Sequence, residues 1–147
     1  MEYCLSQRAN PLGYVSVERT RVLSERPQIL IVEDSSSVRR LIEVSLRSLD
    51  ADLHEAADGF EAVERISELK PDVVVLDIGL PGLDGWEVLS RLRADAATDA
   101  ARVLVLTAHA EPEVAAQAAA ATADHFMTKP FNPTVLREAV ERLLGHE

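Results

Sequence analysis

The sequence has little cysteine and little positive charge, and each shortage excludes a class of protein. Cys4 is the only cysteine in 147 residues, which excludes an internal disulfide framework and any metal site built from several cysteines. Fifteen lysine and arginine residues stand against 25 aspartate and glutamate residues, so the formal net charge is -10. This sign of charge disfavours contact with a phosphate backbone, and we expect no direct nucleic-acid partner.

Long hydrophobic runs are also missing. No apolar stretch approaches the ~18 residues that a membrane-spanning helix needs, and residues 1–26 lack the apolar segment of a secretory signal. We therefore expect no membrane insertion and a soluble, cytoplasmic protein. Residues 1–26 show no sustained hydrophobic period and contain the turn-forming residues Asn10, Pro11 and Gly13. We interpret them as a flexible N-terminal extension.

The rest of the chain has the composition of a folded domain. The sequence is 47% hydrophobic and 27% charged, and residues 27–147 are about the length of one domain. Short apolar runs alternate with amphipathic stretches, which is typical of strand-helix units around a parallel sheet. We predict an α/β fold, a three-layer doubly wound parallel sheet of five strands. The predicted strands span residues 28–32, 52–56, 72–76, 102–106 and 125–127.

Helical spacing of apolar residues predicts a helix after each strand. Ser35 or Ser36 is the expected N-cap of the first helix, and Gly145 closes the last one. The fourth helix, at residues 115–123, is rich in alanine and offers little side-chain surface for burial. We expect it to be the least firmly anchored element.

Polar side chains follow four of the predicted strands. Glu33 and Asp34 follow the first strand, Asp77 the third, Thr107 the fourth and Lys129 the fifth. The carboxyl ends of parallel strands meet at one edge of a sheet, with neighbouring strands ~4.8 Å apart. Taken singly, each residue has an ordinary explanation as a cap, a turn residue or a surface charge. Together they predict one functional site, provided that the four strands are neighbours.

Three acids at one edge need compensating charge. Two carboxylates about 5 Å apart repel by roughly 3 kcal/mol at an effective dielectric constant near 20. Lys129 offsets one negative charge, and the remaining two match one divalent cation. Oxygen ligands without histidine or cysteine favour a hard ion such as Mg²⁺. With a phosphoryl group drawn in by this charge, Asp77 has the chemistry to attack phosphorus and form an acyl phosphate.

Residues 27–147 resemble the receiver domain of two-component response regulators, in the single-domain, CheY-like form. The resemblance rests on ILIVEDS at the first strand, DVVVLDIGLPGLDGWEVL around Asp77, VLVLTA at Thr107 and HFMTKPF around Lys129. The spacing is also typical of the family: Asp77 follows Asp34 by 43 residues, Thr107 follows Asp77 by 30, and Lys129 follows Thr107 by 22. The resemblance implies the flavodoxin-like strand order 2-1-3-4-5.

The resemblance also implies roles for the acids. Asp77 corresponds to the phosphoacceptor, Asp34 to a direct ligand of Mg²⁺, and Glu33 to a second acid that acts largely through water. Gly79 corresponds to the residue whose backbone carbonyl completes the metal shell together with Asp77. Glu33 stands where the family more often has aspartate, a variant that we expect to keep metal binding.

Four further residues take roles by resemblance at the last two strands. Lys129 corresponds to the phosphate-binding lysine, and in this family the peptide bond to the following Pro130 is cis. Thr107 corresponds to the switch hydroxyl, followed by the small residue Ala108. Phe126 corresponds to an aromatic switch residue, whose ring turns inward when Thr107 moves toward the phosphoryl group. An ordinary core role for Phe126 is the alternative.

One position departs from the family pattern, and two others correspond to positions that set how fast the phosphoryl group is lost. Thr122 stands where the family usually has glycine, and a left-handed turn there would strain a β-branched residue. Gly79 and His109 occupy positions that tune the loss of the phosphoryl group in relatives. Gly79 leaves access for water, whereas His109 is either a group that shields or orients that water or a plain loop residue.

The function implied is a phosphorylation-controlled switch in a two-component phosphorelay, not an enzyme with a separate substrate. A sensor histidine kinase or a histidine phosphotransfer protein would phosphorylate Asp77. A downstream protein would then bind the face formed by the fourth helix, fifth strand and fifth helix. The chain ends at Glu147, shortly after the last predicted helix, so we expect a single-domain regulator or a phosphorelay intermediate, with a fragment of a longer protein as the alternative. The alanine-rich fourth helix predicts a shallow output face and a monomer or a weak dimer.

Three other functions share part of this residue set. A metal-dependent phosphatase with an aspartate nucleophile carries a second aspartate two residues later, where this chain has Gly79. A flavin-binding electron carrier has the same topology, but the loop EDSSSV after the first strand would repel an anionic cofactor. A receiver-like module that binds partners without phosphorylation is distinguished only by assay.

Overall fold

Short aliphatic runs form a parallel sheet at the centre of the fold. In the computed structural model, which describes residues 26–108 and 111–145, the sheet order is β2-β1-β3-β4-β5 and every neighbouring pair is parallel. This confirms the three-layer α/β fold and the order 2-1-3-4-5. The strands are β1 (Gln28–Val32), β2 (Asp52–Ala56), β3 (Val73–Asp77), β4 (Arg102–Thr107) and β5 (His125–Thr128).

Helices cover both faces of the sheet because β1, β3 and β4 present aliphatic side chains to each side. Within the described ranges, no helix has the length and apolarity to cross a bilayer. The helices are α1 (Ser36–Leu46), α2 (Gly59–Leu69), α3 (Gly85–Ala94), α4 (Pro112–Ala120) and α5 (Pro133–Leu143). One core cluster packs α1 and α5 against the sheet, and a second packs α2, α3 and α4 against the opposite face.

The strand boundaries differ from prediction where backbone pairing continues past the aliphatic run. β1 and β2 have the predicted bounds, but β3 begins one residue later and includes Asp77, which pairs with Leu106. β4 likewise includes Thr107, which pairs with Thr128 of β5. Asp77 and Thr107 are therefore the last residues of their strands, held by the ladder, and not the first residues of the following loops.

The predicted N-cap of α1 and the glycine after α5 match the structure, whereas α4 spans Pro112–Ala120 and not residues 115–123, because the chain turns after Ala120. Ser35 is the N-cap of α1, where its hydroxyl accepts a hydrogen bond from the Val38 N–H at 3.4 Å. Gly145 has φ of +89° directly after the last residues of α5, as expected of a helix-terminating glycine. In α4 the buried residue is Ala118, which confirms that this alanine-rich helix buries little side-chain surface.

The start of the described chain is tied to the edge strand. Arg26 donates hydrogen bonds to Asp50 at 2.7 Å, to Asp52 at 2.8 Å and to the Ala51 carbonyl at 2.8 Å. The predicted extension otherwise lies outside the described residues.

An arginine holds the left-handed turn after α4. Thr122 has φ of +66°, the conformation that strains a β-branched residue by about 1–2 kcal/mol. Arg93, at the end of α3, donates to the Thr122 carbonyl and hydroxyl, both at 2.8 Å, and to Asp124 at 2.9 Å. The same guanidinium donates to the carbonyls of Asp99 and Ala101. Thus one side chain joins the α3–β4 loop to the turn that leads into β5.

Substituting Arg93 with alanine is expected to lower the free energy of unfolding by about 2 kcal/mol, because these hydrogen bonds to a half-buried charge are lost at a strained turn. Urea denaturation measures the change. Arg91→Ala on the same helix removes an exposed ion pair with Glu87 and should change stability by less than about 0.5 kcal/mol. Equal effects of the two substitutions would contradict the role given to Arg93.

Candidate functional site

Three carboxylates converge at the carboxyl edge of the sheet. β1 and β3 are neighbours in register, with Val32 opposite Leu76, so Glu33 emerges beside Asp77. One oxygen from each of Glu33, Asp34 and Asp77 lies within 4.8 Å of the others. The Glu33 and Asp77 residues are 1% and 6% exposed, whereas Asp34 is open to solvent. The three predicted acids therefore form one cluster, with Asp34 on its solvent side.

Lys129 joins this cluster from the end of β5. Its Nζ lies 2.7 Å from Glu33 Oε1 and 3.4 Å from Asp77 Oδ2. The Lys129 N–H also donates to the Thr107 carbonyl at 2.8 Å, which ties the lysine backbone to the end of β4. The Lys129–Pro130 peptide is cis, as the resemblance implied. The predicted cation therefore faces both buried acids, with the shorter contact to Glu33.

Burial and ion pairing shift the pKa values of Glu33 and Lys129 in opposite directions. Burial raises the pKa of Glu33, although the hydrogen bonds from Lys129 and from the Ser35 N–H lower it; the nearby charge of Asp77 raises it further. Burial by itself lowers the pKa of Lys129, but the hydrogen bond to Glu33 and the charges of both acids outweigh burial and leave that pKa raised. The lysine is thus firmly held as the ammonium ion, while Glu33 depends on its partners to stay ionised.

The predicted switch residues lie on one face of the sheet. Thr107 is 1% exposed at the end of β4, and Phe126 on β5 pairs with Val105, two residues before Thr107. Phe126 is half-buried against the cluster that includes α2, α3 and α4. Ala108 is exposed, and His109 lies outside the described residues.

Gly79 lies directly beside the Asp77 carboxylate. Its N–H donates to Asp77 Oδ1 at 3.1 Å, and a β-carbon placed on Gly79 would have that oxygen as its nearest neighbour, at 3.9 Å. The absence of a side chain there leaves room next to the carboxylate. Access of water to the carboxylate at this position stays a prediction.

Sequence reasoning missed two hydrogen bonds to Glu33, the first residue of the acid pair Glu33–Asp34. The Ser35 N–H donates to Glu33 Oε2 at 3.1 Å, and Arg39 Nη1 donates to the Glu33 carbonyl at 2.8 Å. A basic residue one turn into the helix after the acid pair is a weak signal for such a contact. The adjacent Arg40 carries the same signal but pairs with Glu43 at the surface.

The donor set fits a hard divalent cation. All the clustered groups are carboxylates, two of them are buried, and Lys129 offsets only one of the three negative charges. Mg²⁺ prefers such oxygen ligands and takes only one or two carboxylates directly. The remaining negative charge and the open side at Asp34 therefore suit Mg²⁺ together with a phosphate oxygen.

Comparisons with known proteins agree on one family. The model of the response regulator receiver domain matches residues 29–141. Chemotaxis protein CheY-3 of Vibrio cholerae is 34% identical over 123 residues, which cover 83% of this chain and 95% of that protein. A putative response regulator from Chloroflexus aurantiacus has a TM-score of 0.77 at 32% identity, covering 82% of this chain and 98% of its own.

Some relatives are longer than this chain. The DNA-binding dual master transcriptional regulator RpaA of Synechocystis is 35% identical over 118 residues, which cover 80% of this chain and 49% of that protein. The phosphate regulon transcriptional regulatory protein PhoB of Pseudomonas aeruginosa is 38% identical over 115 residues, again 49% of its length. The chain thus spans about half the length of these transcriptional regulators and nearly all of the chemotaxis protein.

Proposed function

The chain belongs to the response regulator receiver domain family of two-component signalling, and on that premise we propose that Asp77 accepts a phosphoryl group that switches the domain between two states. The observation that carries this proposal is the convergence of Asp77 with Glu33, Asp34 and Lys129 at one edge of the sheet. Residues 27–147 are proposed to form the receiver domain. The protein is proposed to act in the cytoplasm, without a separate substrate of its own.

The proposed donor is a phosphohistidine of a sensor histidine kinase or a histidine phosphotransfer protein. An oxygen of the Asp77 carboxylate attacks phosphorus as the phosphorus–nitrogen bond breaks, which leaves an acyl phosphate on Asp77 and imidazole on the donor. The Gly79 N–H holds the other carboxylate oxygen, because it donates to Oδ1. The aspartate is therefore oriented before the donor arrives.

The neighbouring residues neutralise and position the group that is transferred. Lys129 Nζ lies 3.4 Å from Asp77 Oδ2 and needs only a small shift from Glu33 to bind a phosphoryl oxygen. We assign Glu33, Asp34, Asp77 and the Gly79 carbonyl to an Mg²⁺ site. When bound, the ion supplies positive charge that offsets the acids and the incoming phosphoryl group.

The switch is proposed to pass from β4 to β5. The Thr107 hydroxyl moves to a phosphoryl oxygen, and the Phe126 ring turns into the space beside it, since both residues lie on one face of neighbouring strands. Ala121 and Ala123 pack with Phe126 against the same cluster, and their small side chains leave room for such a rearrangement. Gly79 and His109 are proposed to tune how long the phosphoryl group persists.

The output is proposed to be a protein contact. A downstream protein would bind the face formed by α4, β5 and α5, and the domain would act as a monomer or weak dimer without direct contact to nucleic acid. The net charge of -10 supports this choice, because nucleic acid would be repelled. The alanine-rich surface of α4 supports a shallow contact on this face.

The proposal is tested with a small phosphodonor. Wild-type protein incubated with acetyl phosphate and Mg²⁺ is expected to gain one phosphoryl group, detected by intact-mass spectrometry, because the site itself supplies the positioning. Excess EDTA in place of Mg²⁺ should remove the adduct. If the adduct is absent with Mg²⁺, or equally abundant with EDTA, the metal-assisted switch is contradicted.

A further inference from the structure

Arg39 connects the acid pair to the edge strand of the sheet. It lies one turn into α1, with its side chain only 20% exposed. Its Nη1 donates to the Glu33 carbonyl at 2.8 Å, and its Nε donates to Glu55 Oε1 at 3.0 Å. The planar guanidinium is therefore fixed at both ends, between the β1–α1 turn and β2.

The carbonyl that Arg39 binds belongs to the peptide unit joining Glu33 to Asp34. This unit is planar, so fixing its oxygen also fixes the direction in which the chain enters Asp34. Within residues 26–108 and 111–145, the Asp34 carboxylate has no hydrogen bond or ion pair of its own, whereas Glu33 is held by Lys129 and the Ser35 N–H. The contact of Arg39 with the Glu33 carbonyl is thus a hydrogen bond to the peptide unit that leads into Asp34.

We propose that Arg39 is a positioning residue for the divalent cation. By its hydrogen bond to the Glu33 carbonyl it fixes the Glu33–Asp34 peptide, so that the Asp34 carboxylate stays directed at Asp77. This inference rests on the proposed function, because it assigns Asp34 to the Mg²⁺ site. Outer groups that orient ligands typically change metal affinity by about 10- to 100-fold when they are removed.

The charge of Arg39 predicts an effect of the opposite sign. A guanidinium near three carboxylates repels a cation, so its removal would tighten Mg²⁺ binding if charge alone mattered. Its removal weakens binding if orientation of Asp34 dominates. The direction of the change therefore separates the two roles without any measurement of phosphorylation.

The test is isothermal titration calorimetry of the full chain with MgCl₂, comparing wild type with Arg39→Ala, Arg39→Met, Arg39→Lys and Arg40→Ala. Arg40 is the matched control because it lies on the same helix, carries the same charge and is 72% exposed. We expect Arg39→Ala and Arg39→Met to weaken Mg²⁺ binding about tenfold. Arg40→Ala should stay within about twofold of wild type, and Arg39→Lys should recover part of the loss because lysine still donates one hydrogen bond.

Urea denaturation in EDTA shows whether each variant is folded. If Arg39→Ala is unstable, the Mg²⁺ affinity of Arg39→Met tests the inference, because methionine keeps most of the side-chain stem. The inference is overturned if a folded Arg39→Met binds Mg²⁺ as tightly as Arg40→Ala, or more tightly. Absence of Mg²⁺ binding by the wild type would instead overturn the proposed function, and this inference with it.

Discussion

Asp77→Asn is expected to reduce the phosphoryl adduct formed with acetyl phosphate and Mg²⁺ by at least ~100-fold, because an amide oxygen is a far weaker nucleophile than a carboxylate. The substitution keeps the shape of the side chain and an oxygen that accepts the Gly79 N–H. It also removes one of three clustered negative charges, so the metal-free variant should be at least as stable as wild type. Intact-mass spectrometry and urea denaturation in EDTA measure the two effects.

Asp99→Asn is the matched control for this prediction. It makes the same change of charge at an exposed residue of the α3–β4 loop, at the opposite edge of the sheet. Its adduct should equal that of wild type. Persistence of the adduct in Asp77→Asn, with wild-type yield, would move the phosphoacceptor to another residue and overturn the assignment of Asp77.

Much of the fold is predictable because burial on both faces leaves a clear pattern in the sequence. β1, β3 and β4 are nearly continuous aliphatic runs, and their core residues are at most 1% exposed. The exact ends of β3 and β4 are not predictable in this way, since ladder pairing includes polar residues such as Asp77 and Thr107. The strand order came from the family resemblance, because hydrophobic periodicity carries no information about which strands are adjacent.

The site is predictable to the extent that topology determines it. Parallel strands bring their carboxyl ends together, so Glu33, Asp77 and Lys129 could be grouped once the family resemblance supplied the order of the strands. Which acid binds the lysine more closely depends on side-chain length and rotamer, and these are properties of the folded molecule. The same holds for Arg39, which is distinguished from Arg40 only by the direction that the helix gives each side chain.

At the turn after α4, the backbone strain could be predicted from the sequence but the contact that compensates for it could not. A β-branched residue at a position where relatives usually have glycine predicts strain, and Thr122 does adopt positive φ. Its compensation by Arg93 comes from a residue 29 positions earlier in the chain. Local propensity reveals the strain, whereas the compensating contact depends on how α3 packs beside the turn.

Lys129→Met is expected to lower the free energy of unfolding by about 3 kcal/mol at about pH 7.5 in EDTA, because it leaves the buried Glu33 carboxylate beside Asp77 without its 2.7 Å partner. The cost should shrink toward about pH 5. Burial already raises the pKa of Glu33 in the folded protein, and loss of the Lys129 hydrogen bond raises that pKa further. Glu33 then takes up a proton on folding, and proton uptake favours the folded state more as the pH falls. Urea denaturation at the two pH values measures the change.

The cause is isolated by adding Glu33→Gln to the Lys129→Met protein. The neutral amide removes the unpaired charge, so the double variant should be more stable than Lys129→Met alone at about pH 7.5 and should lose most of the dependence on pH. Lys70→Met controls for the loss of a positive charge, since the Lys70 ammonium group donates only to the Ser67 carbonyl among the described residues and lies away from Glu33 and Asp77. A cost that is independent of pH, or additive effects of the Lys129 and Glu33 substitutions, would mean that Lys129 stabilises the fold by packing. In that case the ion pair would not be what keeps Glu33 ionised, and the negative charge from which the Mg²⁺ site was inferred would rest on Asp34 and Asp77 alone.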